Sequence, residues 1–166
     1  WSKVMVETAK DTTFEVDDIF TSIVINSQGY PEISYIRKYP KTIMYAYQDA
    51  NGWHKERVRE LYTSYFAKIR LGSDGSPVIG FHEYVPQTSN SYDLLKIAIR
   101  DPSGSGWNIV TLPDTAYTTN YGWMVDFELD GQNYGYFTYR DMDDQWMLAI
   151  FDGNSWQLEN IIPDPY

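Results

Sequence analysis

The amino-acid sequence predicts an all-β protein, and three observations predict it. Apolar residues recur at every second position in short runs bounded by Gly, Asn, Asp, Ser and Pro, the pattern of half-buried strands separated by turns. One segment recurs: "GYPEISYIRKYPKTIMYAYQDANGW" (29–53) returns as "GSPVIGF…LLKIAIRDPSGSGW" (75–107) and as "GQNYGYF…WMLAIFDGNSW" (131–156). Trp1, Trp53, Trp107 and Trp156 follow one another at steps of 52, 54 and 49 residues. A period of about 50 with four strands and a recurrent Trp is the signature of a propeller blade. The fold class is therefore a partial β-propeller of three four-stranded antiparallel blades plus one orphan outer strand.

The elements follow in order, with the strands of each blade denoted a, b, c and d. Residues 1–8 open with "WSKVMV", which repeats the d strands "WHKERV", "WNIVTL" and "WQLENI" and so forms the orphan outer strand. Blade 1 (20–59) has strands at 21–26, 32–37, 42–48 and 53–58, with Gly29 in the a–b turn, where a tight hairpin needs a residue at positive φ. Blade 2 spans 66–113 and blade 3 spans 123–162. Taking Gly29, Gly75 and Gly131 as equivalent aligns Ile23 and Ile25 with Ile69 and Leu71, then with Val125 and Phe127. It also aligns the aromatics Tyr35, Phe81 and Phe137, and the c strands share Ala46, Ala98 and Ala149. The segment "VRELYTSYFAKI" comes nearest to a helical stripe, but its register match to a strand prevails. Blade-to-blade contacts are expected at Tyr35, Phe81 and Phe137 and at Trp53, Trp107 and Trp156.

Composition bounds the partners. A formal charge of −10 argues against nucleic acid, which demands a basic footprint. There is no Cys, which removes disulfides and thiolate metal sites. No apolar run reaches the roughly 18 residues of a membrane-spanning helix, and the first residues carry no apolar core of a signal peptide. Richness in Tyr, Asn, Ser and Gly suggests an extracellular or cell-surface setting. No cofactor or metal is expected.

The b–c and d–a connections share one end of a propeller, and the candidate site is placed there. The second copy is longest, with 32 residues from Gly75 to Trp107 against 24 and 25 in the others. Its extra length lies in the b–c loop "HEYVPQTSNSYD", and loops that grow on one blade are where function is grafted. The site centres on His82, Glu83, Tyr84 and Tyr92, with Arg37, Tyr39, Arg140 and Asp141 on neighbouring blades. Aromatic rings stack on the apolar face of a sugar while charged groups take its hydroxyls. Catalytic signatures do not support an enzyme: His54 and His82 fall at unlike positions, and no Gly-x-Ser-x-Gly or His-Glu-x-x-His motif occurs. Asp141, Asp143 and Asp144 in "RDMDDQ" lack the Asp-x-Asp-x-Asp-Gly series of a Ca²⁺ loop and read as a solvated turn.

"TSIVINSQGYPEISYIR…TIMYAYQDANGWHKERV" resembles a family of bacterial and archaeal propeller repeats that read approximately "tSIaLDSnGyPHISYYD…LkYAYwdGssWnietVd", and weaker versions of the pattern cover the rest of the chain. The resemblance implies a innermost and d outermost, and it implies no particular activity, since such blades serve lectins, adhesins and scaffolds. The family's frequent Asp eight residues after the Gly is replaced by Arg37, Glu83 and Tyr139. Three blades are too few to close a ring, so self-association or blades from another chain are expected to complete it. The function expected is non-catalytic binding of an extracellular glycan or protein partner at the b–c and d–a face. The alternatives are a structural subunit or fragment of a larger propeller and, third, a glycosidase-like enzyme using paired carboxylates.

Overall fold

The computed structural model describes residues 20–38, 40–86, 92–116 and 125–162. Strands β1 (Thr21–Ile25), β2 (Pro31–Arg37), β3 (Thr42–Asp49) and β4 (Gly52–Glu60) form the first sheet. The second comprises β5 (Ala67–Leu71), β6 (Pro77–Val85), β7 (Tyr92–Arg100) and β8 (Trp107–Ala116). The third comprises β9 (Asp126–Leu129), β10 (Gly135–Arg140), β11 (Trp146–Phe151) and β12 (Trp156–Asn160). Each sheet is antiparallel with its strands in chain order, and among the described residues there is no helix. The chain is thus all-β, three four-stranded blades of a partial propeller. The expected orphan strand at 1–8 lies outside the described residues.

The ladders correct one alignment. Ile23 pairs with Ile33, Ile69 with Ile79 and Phe127 with Phe137. Phe127 is therefore the counterpart of Ile23, two positions away from the sequence alignment, and Tyr139 rather than Phe137 corresponds to Tyr35 and Phe81. The cause is the a–b turn. Gly29 and Gly75 adopt φ of 83° and 82°, but in the third turn Asn133 takes that place at 67°. The same bonds close all three turns: Gly29 N–H to Asn26 C=O, Gly75 N–H to Gly72 C=O and Asn133 N–H to Asp130 C=O. Asn is the non-glycine residue that most readily enters the left-handed region. With Asn133 as anchor, the position eight residues on is Asp141 rather than Tyr139.

Among the described residues the two apolar clusters lie between blades. Ile36, Ile43 and Tyr45 of blade 1 pack on Ile69, Ile79, Phe81 and Ala98 of blade 2. Val78, Leu95, Ile97 and Leu112 on the other face of blade 2 pack on Phe127, Phe137, Tyr139 and Phe151 of blade 3. Trp107 and Trp156 border these two clusters, whereas Tyr35 and Trp53 lie on the face of blade 1 turned away from blade 2, as strand alternation requires. First strands adjoin, β1 to β5 and β5 to β9. Lys68 bonds Asp126 at 2.6 Å and Arg70 pairs with Glu128 across the second of these seams. Ser34 Oγ donates to the Ala67 carbonyl at 2.5 Å, and Tyr139 OH to Asp114 at 2.5 Å, fastening blade to blade.

Candidate functional site

The b–c and d–a segments do share one end. Leu61 N–H reaches the Lys41 carbonyl at 2.9 Å and Tyr84 N–H the Thr63 carbonyl at 3.1 Å. The residues singled out in the sequence behave differently there. His82 is 1% exposed, and its Nε2 accepts the Tyr65 N–H at 3.2 Å. Burial, reinforced by the Lys41 charge, holds its imidazolium pKa down at about 4. Glu83 pairs with the buried Lys96 and with Arg59 at 3.4 Å. Tyr84 lies 6.0 Å from the exposed ring of Tyr62, and Tyr92 pairs with Val85 at the end of the hairpin. Arg37 ends β2 with its Nε buried and unpartnered, Arg140 pairs with Asp144, and Tyr39 is outside the described residues. Asp141 accepts the N–H groups of Asp143 and Gln145, both at 2.9 Å, so the acidic run closes its own turn.

The opposite end is built from the a–b and c–d turns. Asn26, Asp74, Asp101, Asp130 and Asp152 each accept N–H groups from residues two to four positions on, the local bonding that makes Asx residues turn formers. Hydrogen bonds from Ser76, Ser103, Tyr134 and Ser155 hold Asp74, Asp101, Asp130 and Asp152 below the usual carboxylate range. Between blades 2 and 3 these turns ring a cavity of about 190 Å³. Val78, Ile97, Ile99, Leu129 and Phe151 give it an apolar lining, and Asp74, Ser76 and Asn133 contribute polar groups. Asn133 Oδ1 accepts the Ser73 N–H at 2.6 Å, bridging the two a–b turns beside it. At about 30 Å³ per water the space equals roughly six waters, the size of one small ring.

The equivalent cleft between blades 1 and 2 carries different chemistry at the same register positions. Val78 is replaced by Glu32, Ile97 and Ile99 by Tyr45 and Tyr47, and Phe151 by Arg100. Glu32 is buried and accepts bonds from Asn26 Nδ2 at 3.1 Å and Tyr45 OH at 2.6 Å. Burial first, and then that bond, raise the Tyr45 pKa. The Arg100 guanidinium sits 5.6 Å from the Tyr45 ring centre and 5.3 Å from that of Tyr47, and it pairs with Glu56. Trp107 meets Tyr45 edge-on at 5.4 Å, and Tyr47 stacks on His54 at 4.8 Å. The indole N–H groups of Trp53, Trp107 and Trp156 are all buried without a partner, so the recurrent Trp leaves a donor available in every blade. Sequence reasoning passed over this end. The available signal was a carboxylate, Glu32, where blade 2 has Val78, and a guanidinium, Arg100, where blade 3 has Phe151, since a buried polar group is the informative departure.

No protein-family model and no curated protein matches the chain. Among solved structures it is similar to a fucose lectin from Kordia zhangzhouensis, determined in complex with methyl-fucoside. The TM-score is 0.51 at 14% identity, over 84% of this chain and 97% of that one. At that identity the likeness concerns the fold.

Proposed function

We propose that the chain is a non-catalytic carbohydrate-binding module that seats a single sugar ring in the cavity between blades 2 and 3. The carrying observation is that cavity: about 190 Å³, with apolar walls and polar groups from Asp74, Ser76 and Asn133 at the turn end. Ile99, Leu129 and Phe151 suit the apolar face of a pyranose, and the polar groups suit its hydroxyls. The structurally similar fucose lectin, solved with methyl-fucoside, supports a monosaccharide of that kind as the first ligand to try. Blades 1–3 act as one propeller unit, and the setting is extracellular or cell-surface.

A second reading keeps the ligand at the b–c and d–a end, on Glu83, Tyr84 and Tyr92 with Arg37, Arg140 and Asp141. It is favoured by the pairing of Tyr84 with Tyr62, which is 70% exposed, an aromatic platform open to a partner. Calorimetric titration with methyl-fucoside and a panel of monosaccharides separates the two. Ile99→Trp, which fills the cavity, and Asp74→Ala should each weaken binding at least tenfold, while Tyr84→Ala and Glu83→Gln leave it unchanged. The reverse pattern moves the site to the loop end. Absence of binding to the whole panel by the folded wild-type chain overturns the glycan reading.

A further inference from the structure

We propose that a second copy of this chain docks its blade 1 on the free face of blade 3, closing a six-bladed ring and completing a further inter-blade cleft. Equivalent positions in the three blades differ in burial. Ile69 and Phe127 are fully buried by the preceding blade, whereas Ile23, at the same place in β1, is 60% exposed, as is Ile25 next to it on that face. On the trailing side, Ile43 and Leu95 are fully buried, whereas their counterpart Trp146 is 39% exposed. The pattern therefore uncovers two faces of complementary type. One is the leading face of a blade, the other the trailing face, and the chain itself shows twice how such faces join.

The second copy is the occupant that charge favours. Strand alternation puts Lys55 and Arg57 on the leading face of blade 1 and Glu159 on the trailing face of blade 3. Glu159 stands where Glu56 stands in blade 1, and Glu56 bridges to Arg100 of blade 2. Docking in the same geometry brings Glu159 onto the face of the second copy that carries Lys55 and Arg57, with Gln48 in the place of Arg100. Two chains supply six blades, within the range of closed propellers, and a closed pair leaves neither face open.

The joint also builds a site that neither copy holds alone. Blade 3 brings Tyr136, whose hydroxyl donates to Asp130 at 2.9 Å. The second copy brings Gln48 and Trp53, the latter with its unpartnered indole N–H. These occupy the places of Glu32, Asn26, Arg100 and Trp107 in the cleft between blades 1 and 2. The docking stands on packing; the sugar-binding role of the composite cleft rests on the proposed function.

The native mass of the 166-residue chain, measured by light scattering across a hundredfold dilution, tests the docking without reference to any sugar. Twice the chain mass of 19.4 kDa is expected. Ile23→Glu and Trp146→Glu, each on one face, should both give the single-chain mass while keeping the wild-type far-ultraviolet circular dichroism. A wild-type mass of 19.4 kDa, or an open concentration-dependent series, overturns the closed pair. So does a pair that survives both substitutions. The number of methyl-fucoside molecules bound per chain, measured separately, should fall on dissociation if the composite cleft is used, and should stay constant if only clefts within one chain bind.

Discussion

Two buried ionisable side chains pull the pH dependence of this fold in opposite directions. Tyr84 pairs with Asp93 and His82 with Leu95, so His82 and Asp93 sit diagonally on one face of the ladder. Asp93 is buried with Oδ1 unpartnered, and desolvation pushes its pKa up to about 7; in the unfolded chain it titrates near 3.9. From about pH 4 to 7 the folded state therefore holds more protons at Asp93, and stability falls as pH rises. His82, lowered to about 4 by burial, titrates near 6.5 when unfolded. Between those values the unfolded chain binds more protons there, and stability rises with pH. The slopes oppose each other, so the wild type should be nearly flat from pH 4 to 6.5. Asp93→Asn leaves the His82 slope alone. That variant should gain about 2–4 kcal/mol at pH 7.5 relative to the wild type and lose stability on acidification from 6.5 to 4. Thermal melts across this range check it, and parallel profiles for the two proteins would refute the assignment.

At the scale of the element, the third hairpin decides how the repeat is to be aligned. Gly75 adopts φ of 82° and Asn133 adopts 67°, whereas Gly131 is not in the left-handed region. Gly75→Ala should cost about 1–2 kcal/mol, the penalty of a Cβ in that conformation, while Gly131→Ala stays within about 0.5 kcal/mol. Asn133→Gly relieves the left-handed backbone but removes the bond from the Ser73 N–H, so it should cost less than Gly75→Ala, within about 1 kcal/mol. Urea denaturation of the three variants gives the order, and a larger loss at Gly131 than at Gly75 would restore the sequence alignment. The strands were legible because apolar alternation is local: 21–26, 32–37, 42–48 and 53–58 differ from β1–β4 by two residues or fewer at each end. The third register was misread because an anchor on Gly cannot see Asn doing the same backbone work. The cavity was not legible for another reason. Val78 and Leu129 line it from strands of different blades, and their meeting depends on how sheets dock. Glu32, where blade 2 has Val78, and Arg100, where blade 3 has Phe151, were the local trace of the turn-end clefts.

For the molecule as a whole, stability resides in the joints between blades, because both apolar clusters lie there. Phe127 of blade 3 lies so close to β6 that a Cβ on Gly80 would stand 2.2 Å from its Cγ. The blade 1 counterpart of Gly80 is Ser34, whose hydroxyl itself fastens to Ala67. One seam thus uses the absence of a side chain and the other a hydrogen bond. Gly80→Ala forces Phe127 and the backbone of β9 outward, an overpacking penalty of about 1–3 kcal/mol that falls on one seam. The seam between blades 1 and 2 involves neither residue and should keep its contacts. Unfolding by calorimetry should therefore pass from one transition to two, with blade 3 separating first. The cavity between blades 2 and 3 would widen with it, so sugar affinity should fall even though Asp74, Ser76 and Asn133 are untouched. Hydrogen exchange locates the early step: amides of β9–β12 should lose protection while those of β1–β4 retain it. Uniform loss of protection across all three sheets would mean that the blades share one cooperative unit and that the seams are not separable.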